Sequence, residues 1–167
     1  MFKTITGLGV LLAALFVSAC TIAPPFTKSA LLEQGAPKNA TAVIGLTHAT
    51  LGEDSQKNDL FWENTEAVLE DVPNQAGYLG HGVRLKLFGG EAWTMTAWED
   101  EKSLNDFIHS ETHRKAMRNG YQALADARFA RVTVNRSEVP LSWEKAEEIL
   151  AKQGHGLKYG PKAKKGE

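Results

Sequence analysis

The stretch Leu79–Phe88, Gly89-Gly90, Glu91–Trp98 constrains this chain more than any other. In its first run His81, Val83, Leu85 and Leu87 fall on one side of a two-residue period, and Arg84 and Lys86 on the other. Adjacent glycines supply the positive φ angles of a tight turn, after which EAWTMTAW runs back as the partner strand. On that strand Trp93 and Met95 lie on the pleat opposite Thr94 and Trp98. Both faces of the hairpin therefore carry large apolar groups, and neither can simply face water.

The flanking segments repeat a simple order. Thr41–His48 (TAVIGLTH) reads as a short β-rich strand, and Gln56–Val72 as an amphipathic helix that places Phe61, Val68, Leu69 and Val72 on one side and stops at Pro73. Beyond the hairpin, Asp100 caps a helix with Leu104, Phe107 and Ile108 as its apolar stripe. Ser110 caps a second helical segment, running to about Ala125, with His113, Ala116, Met117, Gly120, Tyr121 and Leu124 on one side. Ala127–Arg136 is a fourth strand, and Ser142 caps a short terminal helix. The order βαββαβ plus one helix predicts an α+β, ferredoxin-like split βαβ fold: one antiparallel sheet with both main helices on one face. Its other face needs a cover. A second copy of the sheet in an isologous homodimer is the economical choice, and the Pro-rich segment before residue 41 or the C-terminal segment is the alternative.

The ends read differently from the core. Lys3, the apolar run Leu8–Val17 and the small residues before Cys20 form a secretory signal at 1–19, too short for a comfortable span. Val17-Ser18-Ala19-Cys20 resembles a bacterial lipobox, so Cys20, the only cysteine, is the expected lipidation site. Acyl chains there would hold the protein to a lipid bilayer, on the periplasmic side of the outer membrane of the cell envelope, since Thr21 rather than Asp follows the cysteine. Residues 20–40, with Pro24, Pro25, Gly35 and Pro37, read as the lipidated cysteine and a linker, 41–152 as the domain, and 153–167 as a flexible basic tail with Lys158, Lys162, Lys164 and Lys165. With 19 Lys+Arg against 20 Asp+Glu there is no basic footprint for nucleic acid. One cysteine excludes an internal disulfide, thiolate zinc clusters and CxxC redox chemistry. No phosphate-binding glycine loop runs from a strand into a helix, which removes the kinase and nicotinamide-enzyme classes.

The run YLGHGVRLKLFGGEAWTMTAWEDEKSLNDFIHSETHRKAM resembles the dimeric α/β-barrel superfamily, which includes antibiotic-biosynthesis, haem-degrading and spheroidene-monooxygenase-like proteins. The shared features are the Gly-Tyr before the second strand, the strand ending in Trp98, the acidic helix start, Leu104, Phe107, and Ser110-x-x-His113 followed by Ala116-Met117. The resemblance implies a dimeric α/β barrel and a monooxygenase-like activity on a small hydrophobic or aromatic molecule. Haem-degrading members carry a Trp and an iron-binding His where this chain has Phe107 and Met117, which argues against haem degradation of that type. Spheroidene-monooxygenase-like members repeat Ser-x-x-His, which makes His113 the residue to examine for haem-dependent oxygenation.

His113 thus stands as candidate haem ligand or as proton donor in a cofactor-free reaction, with Arg84 as partner of a haem propionate and His81 as a further cofactor-binding or proton-moving group. Trp93, Met95, Trp98, Phe107 and Met117 are the expected walls of an apolar substrate slot. The alternative is a non-catalytic lipoprotein that holds a hydrophobic ligand or haem in the same cavity. His109 and His113 have the HxxxH spacing of a metal pair only if one helix carries both, and Ser110 interrupts it.

Overall fold

The computed structural model describes residues 21–86 and 88–157. The signal at 1–19, Cys20, Leu87 and the lysines from Lys158 onward lie outside the described residues. Along the chain come β1 (Thr21–Ile22), β2 (Thr27–Lys28), α1 (Ala30–Glu33), β3 (Thr41–Leu51), α2 (Ser55–Asp71), β4 (Tyr78–Lys86) and β5 (Glu91–Trp98). They are followed by α3 (Glu101–Ile108), α4 (Glu111–Gly120), β6 (Leu124–Asn135), α5 (Trp143–Gln153) and β7 (His155–Leu157).

Local chemistry sets the boundaries. Gly89 and Gly90, with φ of 112° and 63°, make the β4–β5 turn that side chains would resist. Asp54, Asp100, Ser110 and Ser142 each accept a backbone N–H of the first turn they cap. The sheet order β1-β4-β5-β3-β6-β7 is antiparallel throughout, with β2 also pairing β4. Its central strands, in the order β4-β5-β3-β6, form the α+β, ferredoxin-like arrangement expected from the order of elements.

The two faces bury different cores. On one, Val43, Tyr78 and Trp98 pack with Val72, Leu104 and Phe107 beneath the helices. On the other, Ile44, Leu46, Leu79, Trp93 and Met95 meet Ala146, Ile149 and Leu150 of α5, with Phe26, Leu32 and Trp143 packed against them. The second face is therefore covered within the chain. Burying Ile149 and Leu150 contributes on the order of 1.5–3 kcal/mol each. The need for a second copy to shield the sheet, which motivated the homodimer, does not arise; the alternative cover, linker plus C-terminal helix, is the one present.

Three boundaries also differ from expectation. The segment after Cys20 is not a bare linker: β1 and β2 pair with β4, and Ser29 N–H donates to Leu79 C=O. The fourth helix stops at Gly120, not near Ala125, because its tight approach to Phe61 is followed by a single 3₁₀ turn that feeds β6 from Leu124. His155–Leu157, expected in the flexible tail, pairs with Ala127–Phe129 as β7.

Candidate functional site

A cavity of about 550 Å³ lies between the sheet and the helices α2 and α4. Its floor exists because one pleat of the sheet is built from small residues: Gly45 opposite Thr96, Thr47 opposite Thr94, Ala49 opposite Ala92, and Ala127 of β6. These leave a gap that the helices bridge but do not fill. Phe61, Val68, Phe107, Met117 and Tyr121 supply apolar walls, and the volume is that of a small-molecule site. Thr65 Oγ donates to Phe61 C=O, Asn64 is satisfied by Leu60 C=O and the Asn119 amide, and Thr96 Oγ accepts from Trp98 Nε1. Apart from the hydroxyls of Thr47 and Thr94 on the floor, the wall is thus sparing in free polar groups.

His113 is the exception. Its backbone N–H is capped by Ser110 Oγ at 3.2 Å, which fixes the residue in the first turn of α4. Its ring Nδ1 lies 3.1 Å from Ile108 C=O, an acceptor only, so Nδ1 carries the proton and Nε2 is left as an acceptor with no hydrogen-bond partner among the described residues. The ring meets Phe107 edge-on at 4.9 Å. Burial pushes its pKa below the usual histidine value. The chamber wall therefore holds a neutral imidazole oriented by a carbonyl, while the exposed His155 also borders the cavity. Arg131 stands exposed at the rim, bonded to Glu101 at 3.0 Å and Asn105 at 2.9 Å.

The expected site residues separate into two groups. His113, Phe107 and Met117 line the cavity. Trp98 is on the same face but wholly buried beneath Phe107, stacked at 4.9 Å, as core. Trp93 and Met95 lie on the opposite face, because alternate residues of a strand point opposite ways, so the single slot joining them to Trp98 and Phe107 does not form. Arg84 is on that opposite face too, 4.2 Å over Trp93 and ion-paired to Glu147 of α5. His48, also there, stacks on Trp93 at 4.4 Å and reaches Glu91 at 3.2 Å. His81 is turned to Tyr78, whose hydroxyl lies 2.5 Å from its Nδ1; burial lowers the His81 pKa and pushes Tyr78 up to about 12. His109 closes α3 with Nδ1 on Asn105 C=O, away from the helix that carries His113.

This arrangement tests the haem reading. The carbonyl-oriented imidazole of His113 suits an axial ligand. The rest of the expected set does not assemble: Arg84 is across the sheet and His81 is held by Tyr78; Arg131, the cation at the cavity rim, is committed to Glu101 and Asn105. The residues do not fit the haem site that was expected.

Missing from the sequence reading were the small-residue floor and the α2 walls Phe61 and Val68 as cavity liners. The signal was present: Gly45, Thr47 and Ala49 alternate on one strand as Ala92, Thr94 and Thr96 do on its partner.

Comparison with solved structures bears on this fold. A provisionally named monooxygenase from Fusobacterium nucleatum superposes with a TM-score of 0.54 at 13% identity over 68% of this chain; this chain spans 48% of that protein. A Pseudomonas aeruginosa protein superposes with a TM-score of 0.51 at 12% identity over 57% of this chain and 96% of its own. The chain shares their fold. A provisionally named antibiotic biosynthesis monooxygenase from Nitrosomonas europaea also aligns, at a TM-score of 0.48 and 13% identity, over 60% of this chain and 93% of its own. No protein-family model and no curated protein matches the sequence. Identities this low speak for the fold and not for a shared reaction.

Proposed function

We propose that this chain is an envelope lipoprotein, anchored through Cys20, that takes a small hydrophobic or aromatic molecule into the cavity and oxygenates it without a cofactor. The observation that carries this is the neutral His113 imidazole, its Nε2 unpartnered among the described residues, in the wall of an apolar chamber of about 550 Å³. The monooxygenase-like fold supports the reading as analogy.

In the proposed step, Nε2 of His113 takes a proton from an activated ring methylene of a phenolic substrate. The carbanion passes electrons to dioxygen, one oxygen atom becomes the new carbonyl, and the other leaves as water with the two hydrogens. The balance R–CH₂–R′ + O₂ → R–CO–R′ + H₂O requires no other reductant. The walls hold the ring and exclude water, and the Ile108 carbonyl keeps the imidazole in the tautomer that accepts.

The test is oxygen uptake with a panel of ring-activated phenols, alongside binding of a hydrophobic fluorescent probe. His113→Gln should lower turnover by roughly 10²-fold or more while leaving probe binding within a few fold. Ala116→Trp, which fills the cavity, should abolish both. A second reading, binding without turnover, is favoured by the scarcity of free donors in the wall to stabilise developing charge. It predicts probe binding with no oxygen uptake in the parent protein.

A further inference from the structure

We propose that the end of the molecule carrying the β4–β5 turn is a surface that lies against a lipid bilayer. The inference rests on the lipoprotein reading of Cys20 and adds which face of the fold the anchor brings to the membrane.

Four elements meet at this end. The turn at Gly89-Gly90 sits against the end of β3, where Leu51 N–H donates to Gly90 C=O. Gly52 N–H donates to Ala123 C=O just before β6 begins, and Asn58 in the first turns of α2 reaches back to Gly52 C=O. Five large hydrophobic residues are exposed among the described residues: Ile22, Leu31, Leu60, Phe88 and Tyr121. All but Leu31 belong to this end. Phe88, next to the turn glycines, is 67% exposed, a placement that costs free energy in water and gains it in the interfacial region of a bilayer.

The described chain both begins and ends at this same end. Thr21 pairs with Lys86 and Ile22 with Leu85, so β1 traced backward runs toward the turn and the described chain begins at that end. His155 pairs with Phe129 and Leu157 with Ala127, so β7 runs forward toward the start of β6 at the same end. Beyond Leu157 the sequence holds Lys158, Lys162, Lys164 and Lys165, each worth about 1 kcal/mol near an anionic leaflet. The folded surface does not itself supply that attraction, because Glu53, Asp54, Asp59 and Asp126 also belong to this end. Its contribution is apolar, and the tail supplies the charge.

The experiment uses the full chain, acylated in cells and reconstituted into phosphatidylethanolamine–phosphatidylglycerol vesicles. Acylation blocks the Cys20 thiol, so an introduced cysteine is the only reactive one. A fluorophore on Phe88→Cys should be quenched at least fivefold more by shallow nitroxide-labelled lipid than one on Ser137→Cys, which is exposed at the far end beyond β6. Equal quenching, or quenching at 137 alone, overturns the proposal, as does unquenched Phe88→Cys that crosslinks between copies. If Cys20 itself takes the fluorophore, the lipoprotein reading fails, and the surface is judged by sedimentation of that unacylated chain with the same vesicles. There, binding that Phe88→Glu weakens severalfold supports the proposal, and no binding overturns it. Replacing the four lysines with glutamine should weaken binding to anionic vesicles and not to neutral ones; loss on both alike overturns the assigned role of the tail.

Discussion

At the scale of single residues, the two imidazoles shifted by burial make stability depend on pH in a definite direction. His113 and His81 both titrate below 6.5 when folded, while the unfolded chain takes up their protons near that value. The unfolded state thus binds more protons between the two, and stability rises with pH there. The contribution is complete above about pH 6.5 and is lost as the pH falls through the folded values. Urea midpoints at pH 5, 6 and 7 should fall toward acid, and His113→Gln should make that fall shallower. His113 was legible in the sequence because its spacing from Ser110 and its place on the apolar side of α4 are both local. Arg84 was not, because nothing local says which face of the sheet a given helix will cover. Its basic side chain matched a propionate equally well on either pleat, and α5 decided the matter by offering Glu147.

At the scale of elements, α5 takes the role that was expected first of a second copy of the sheet. Ala146, Ile149 and Leu150 form an i, i+3, i+4 stripe that closes over Ile44, Leu46 and Met95. Leu150→Ala should cost about 2–5 kcal/mol, read from chemical denaturation, as for other buried leucines. The hairpin and the helix caps were readable because turn glycines and capping side chains act within a few residues. The lengths of β3 and β6 were not. Ladder pairing carries β3 to Leu51 and starts β6 at Leu124, through Ala49, Thr50 and Asp126, whose own preferences are weak. The same applies to β1 and β2: Pro24 and Pro25 announce a loop, and only the edge of β4 makes short strands of their neighbours.

At the scale of the whole molecule, the order of elements was enough for the sheet and insufficient for its cover. A chain ending at Leu141 would bare Ile44, Leu46 and Met95, and its mass in sedimentation equilibrium should rise with concentration more steeply than that of the full chain. A slot was expected but its floor was not, because sequence reasoning looks for large side chains to surround a ligand, whereas this space comes from threonines, alanines and a glycine too small to fill it. Tyr121 belongs both to the wall of that space and to the end where the described chain begins and ends. With that end on a leaflet, one wall residue of the chamber would lie beside the acyl region where a greasy guest concentrates, so scant aqueous solubility would not by itself limit how quickly the chamber fills.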